Sequence, residues 1–127
     1  MSPLVFVLAA LAGGLGAAAR YLVSVGVTAA VKAMRPGVQR AFPWGIVIVN
    51  ITGSFALGIV TAALPDAAFV VGVGFLGGYT TFSTAMLDTI GLWRDGTRQV
   101  SVLHLLGTFA SSVMAAGAGL ALGSLWS

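Results

Sequence analysis

The 127 residues include no cysteine and no glutamate, and charge of either sign is scarce. Without cysteine there are no disulfides, no thiolate metal sites and no cysteine nucleophile. One histidine and no glutamate leave almost no ligands for a catalytic zinc. Only six basic and three acidic side chains are present, 7% of the chain, where an average soluble domain carries about a quarter. Nine charges cannot cover the surface of a soluble domain this size. No basic residue precedes Arg20, so the N-terminal run lacks the charged start of a cleavable signal peptide. The inventory excludes most enzymatic chemistry.

What is present is apolar: 58% hydrophobic residues, eighteen glycines and a mean hydropathy of +1.04. The class is an integral membrane protein. The net charge of +3 comes from Arg20, Lys32, Arg35, Arg40, Arg94 and Arg98 against Asp66, Asp88 and Asp95. These basic residues are scattered between apolar runs with no interleaved aromatics, which is not a nucleic-acid surface.

The charges and prolines cut the chain into spans. A bilayer core of about 30 Å takes about 20 helical residues, and four such helices are predicted, roughly 3–30, 44–64, 67–93 and 99–125. They form a single transmembrane domain over 1–127, with breakers at Pro36–Gly37, Pro43 and Pro65. The fold class is all-α. Glycines in every span provide small faces for close helix approach.

The run Gly74-Phe75-Leu76-Gly77-Gly78-Tyr79-Thr80-Thr81-Phe82-Ser83-Thr84 stands out. Adjacent glycines followed by four hydroxyl residues weaken a helix in its middle, and a broken third helix is predicted there. A break at membrane depth is tolerated where the freed backbone faces protein or water, and it is where transporters bind ions. The alternative is a continuous helix with its hydroxyls bonded back to the preceding turn.

Other polar groups at membrane depth each need a reason. Asn50 is either a donor facing a pore or an interhelical bond. His104, Thr108 and Ser112 recur at i, i+4, i+8 on one helix face, as an ion-lined track would require, although Ser and Thr also pack well between membrane helices. Arg20 either snorkels to the interface or gives a vestibule positive potential. Asp88 lies towards the last loop, where it would edge the same path. Lys32 at the edge of loop 33–43, Arg35 and Arg40 within it, and Arg94 and Arg98 in loop 94–98 face no basic residue in the remaining loop or tails. The positive-inside rule places both loops in the cytoplasm and both termini outside.

Together, Gly13–Tyr21, the run Asn50-Ile51-Thr52-Gly53-Ser54-Phe55-Ala56-Leu57-Gly58 and the Gly74–Thr84 segment resemble the Fluc (CrcB) family of fluoride channels along the whole chain. The resemblance implies a bacterial inner-membrane subunit, embedded in lipid, that works as an antiparallel dimer and passively conducts fluoride out of the cell. It implies a structural Na+ held by backbone carbonyls of Gly77 and Thr80, without an organic cofactor. It places Asn50, Thr81, Phe82, Ser83, His104, Thr108 and Ser112 on the anion path, with the electropositive ring edge of Phe82 towards fluoride. His104 stands where the family often has tyrosine. Ala85 stands where it usually has a second aromatic, which puts any pore relying on that position in question. Some relatives are dual-topology homodimers and others pair two unlike chains. The lopsided loop charge argues for a sister subunit of opposite orientation. A small-multidrug-type transporter is disfavoured by the missing glutamate, and a non-conducting scaffold by the aligned polar groups.

Overall fold

The computed structural model describes residues 2–36 and 42–126. Arg40, one of the loop charges, lies outside the described residues. Four helical segments are long and apolar enough to cross a membrane: Pro3–Met34, Trp44–Ala63, Pro65–Arg94 and Arg98–Trp126. Helix α1, Pro3–Met34, is opened by Ser2, whose Oγ accepts from the Val5 N–H, and by proline at its first position. Lys32 in its last turn suits the negative end of the helix dipole. α1 runs one turn beyond the predicted residue 30. Helix α2, Trp44–Ala63, follows Pro43 and stops before Leu64–Pro65, where the residue ahead of a proline is driven out of the helical region.

The third span is not uniform. After a 3-10 turn at Pro65–Ala67, Ala68–Leu76 is a π-helix, wide enough that the Gly77 N–H reaches back to the Gly72 carbonyl. A single α-turn, α3 at Gly77–Tyr79, ends with Thr80 extended at φ −78°, ψ 157°. Helix α4, Ser83–Arg94, then resumes the span. Gly96, at φ 85°, makes the turn into helix α5, Arg98–Gly123, in a left-handed conformation that glycine adopts without penalty.

Packing divides the described residues into two halves. α1 touches α2, α3 and the π-helix, but neither α4 nor α5, and α4 and α5 pack on one another. α2 touches both halves and makes its most extensive contact with α5. There the backbones meet directly: a Cβ on Gly58 would strike the Ala116 carbonyl, and one on Gly119 the Phe55 carbonyl. Such contact replaces the hydrophobic drive that lipid does not supply. Phe42 and Pro43, at the entry to α2, lie beside the α4–α5 end of the bundle, where the Phe42 ring meets His104 and Pro43 shares a depression with Leu92 and Asp95. Lys32, Arg35, Arg94 and Arg98 thus belong to the ends of the first and third connections.

Candidate functional site

The seam between the two halves is closed from α2. Asn50 Nδ2 donates to the Thr81 carbonyl at 2.9 Å, and the Thr81 N–H donates to Asn50 Oδ1 at 2.8 Å. A side-chain amide therefore pairs with backbone much as a neighbouring strand would, at the point where the helical ladder stops. Thr80 Oγ donates to the Leu76 carbonyl at 2.9 Å and closes the last turn of the first half. Thr81 Oγ accepts the Thr84 N–H at 3.2 Å, as a capping residue does, and lies 3.4 Å from Ser83 Oγ.

These bonds redirect two donors. In an uninterrupted helix the Thr81 N–H would serve the Gly77 carbonyl and the Thr84 N–H the Thr80 carbonyl. Here the first goes to Asn50 and the second to the Thr81 hydroxyl. The Gly77 and Thr80 carbonyls thus lose their helical donors, which is the condition under which backbone oxygens are available to a hard cation.

On the other side of the seam runs a groove of about 320 Å³, lined by Asn50, Thr80, Thr81, Phe82, Ala85 and Thr89 facing His104, Thr108 and Ser112. The three residues predicted to share a face of the last span do share it. His104 Nε2, Thr108 Oγ and Ser112 Oγ are all buried without a hydrogen-bond partner. Buried polar groups are ordinarily satisfied, so three orphans along one face of the groove set it apart from the apolar packing elsewhere in the bundle. Phe82 is 77% exposed and Phe109 70%, although both line the groove. Ala85 contributes only a methyl group to the wall.

Three residues around His104 carry no signal in the sequence. Thr89 Oγ donates to the Ala85 carbonyl at 2.9 Å and lies 2.9 Å from His104 Nδ1. Ser101 Oγ donates to the Thr89 carbonyl at 2.6 Å, and the Phe42 ring stands edge-on to the imidazole at 5.2 Å. Thr89 and Ser101 lie 15 and 12 residues from their respective partners, so only the folded register reveals them.

Asp88 and Arg20 are placed differently. Asp88 lines a second depression with Pro43, Leu87, Gly91, Leu92 and Asp95. Arg20 is half-buried on α1, which does not touch the α4 and α5 walls of the groove. Of the alternatives for Asn50, the interhelical bond is present, and the same residue also lines the groove.

Known proteins agree in one direction. The family described as "CrcB-like protein, Camphor Resistance (CrcB)" matches residues 7–120. A relative in Leifsonia xyli subsp. xyli, named fluoride-specific ion channel FluC 1, is 42% identical over 98% of this chain and 90% of its own length. The fluoride-specific ion channel FluC of Nitrobacter winogradskyi is 44% identical over 91% and 92% of the two chains. FluC 1 of Symbiobacterium thermophilum is 40% identical over 93% and 96%.

Proposed function

Because the chain belongs to the CrcB family, we infer that it is a fluoride-specific ion channel, a multi-pass membrane protein and not an enzyme, which lets fluoride leave the cell passively. The observation that carries the route is the row of unpartnered polar atoms on His104, Thr108 and Ser112 in a groove shared with Phe82. A small, strongly hydrated anion gives up water only where donors replace it, and hydroxyl groups at helical spacing offer one donor per turn. The edge of the Phe82 ring carries partial positive charge and adds a weak anion contact without a competing acceptor.

The open side of the groove belongs, in this reading, to a second subunit inserted antiparallel. Phe82 and Phe109, large aromatics left exposed beside polar atoms, support it. Gly77 and Thr80 are the carbonyls that fit a structural sodium ion between subunits, since both have lost their helical donors. Bound there, the ion would supply fixed positive charge at the seam. The basic ends of the first and third connections favour a cytoplasmic placement of both, with the termini outside, in a bacterial inner membrane. One orientation per chain, together with Ala85 in the pore wall, favours a sister subunit over a second copy.

The test is fluoride efflux from proteoliposomes holding this chain alone or with a related short chain of reversed loop charge. Selective fluoride flux from the pair, and little from the single chain, is expected. No flux from either would overturn the channel reading, and full flux from the single chain would overturn the sister subunit.

A further inference from the structure

His104 is fully buried, and its ring lies within hydrogen-bond reach of Thr89. The Thr89 hydroxyl has a single hydrogen, and it goes to the Ala85 carbonyl. With that hydrogen on Ala85, the hydroxyl can only accept from His104 Nδ1, at 2.9 Å, which favours the tautomer with its N–H on Nδ1. Ser101 fixes the Thr89 carbonyl in turn. In the neutral ring the remaining nitrogen, Nε2, is then a bare lone pair. It has no partner, and its residue lines the groove with Thr108 and Ser112.

A lone pair repels an anion, whereas an N–H attracts one. We propose that His104 is a proton-dependent fluoride donor of this channel, silent as the neutral ring and binding the anion through Nε2–H once the imidazolium forms. The proton is taken up from the acidified solvent, and the bound fluoride supplies its counter-charge. Nδ1–H stays on Thr89, no bond within the network breaks, and fluoride gains an N–H donor next to the Thr108 hydroxyl. Among charged groups on elements packed around the ring, Asp88 of α4 acts on it electrostatically. Arg94 and Asp95 end α4, Arg98 opens α5, and α2 carries no ionisable side chain.

The inference rests on the channel reading, and two measurements separate them. The chain has a single histidine, so protein labelled with 15N-histidine and held in lipid bilayers reports this ring alone. Titrated between about pH 8 and about pH 5, the ordinary histidine range, the neutral ring is expected to be protonated at Nδ1. Its midpoint is expected to lie higher in sodium fluoride than in sodium chloride. A neutral ring protonated at Nε2, or the same midpoint in both salts, overturns the proposal whether or not the protein conducts. In the conducting assembly, flux corrected for protein-free vesicles should rise severalfold as pH falls through that range. H104Q, with a permanent neutral N–H, should flatten the profile. An H104Q variant that keeps the wild-type pH dependence, or a wild type with none, overturns the donor role and leaves the channel reading intact.

Discussion

Asn50 and Thr81, 31 positions apart, are joined by a reciprocal pair of hydrogen bonds in which one side-chain amide serves both backbone groups of one residue. The pair sits where the third span stops being helical, so it is both a structural splice and part of the groove wall. N50A would leave the Thr81 N–H and carbonyl buried and unpaired, at a cost of about 1–3 kcal/mol. N50D keeps an acceptor for the N–H but sets a carboxylate against the carbonyl. Both variants should melt several degrees lower in detergent and lose most fluoride flux, with N50D no better than N50A.

Phe82 should separate folding from conduction. Because it is 77% exposed within the subunit, F82L should leave the fold and helicity of the single subunit unchanged. Losing the aromatic quadrupole should still lower fluoride flux tenfold or more. Unchanged flux in F82L would remove the ring edge from the anion path.

The reverse separation belongs to Gly119. A methyl group there meets the Phe55 carbonyl and the Ile59 amide, while Gly26 has open space around the same position. G119A is expected to cost about 1–3 kcal/mol by forcing α2 and α5 apart. G26A should melt like the parent protein or slightly above it. Parallel thermal melts of the purified variants check the contrast.

The carbonyls of Gly77 and Thr80 make a cation prediction. Replacing sodium on both sides of the membrane with a large organic cation should reduce fluoride flux, and returning sodium should restore it. Flux indifferent to the cation would leave those carbonyls to water.

Ala85 offers a gain of function. Its methyl lines the groove, and its carbonyl, not its side chain, holds Thr89. A85F would place a ring edge on the groove wall beside Thr89 and His104. It should raise flux from the single chain if the missing aromatic is what limits it.

Much of this architecture can be read from composition, because nine charges and four prolines leave few places for four apolar spans to begin and end. The common face of His104, Thr108 and Ser112 follows from helical spacing alone. The π-helix at Ala68–Leu76 does not, since shifting the hydrogen bonds by one residue leaves composition and apolar character unchanged. The Thr89–His104–Ser101 network and the second role of Asn50 depend on the register of helices far apart in sequence. No local pattern encodes that register.

The division of the bundle has a mechanical meaning. α1 with the first half of the third span, and α4 with α5, do not touch each other among the described residues. They are linked by three residues of chain, Thr80–Phe82, and by α2 lying across both. Because α2 packs most extensively on α5, it carries the Asn50 amide from that half to the non-helical joint, so a single side chain ties the two halves together at Thr81.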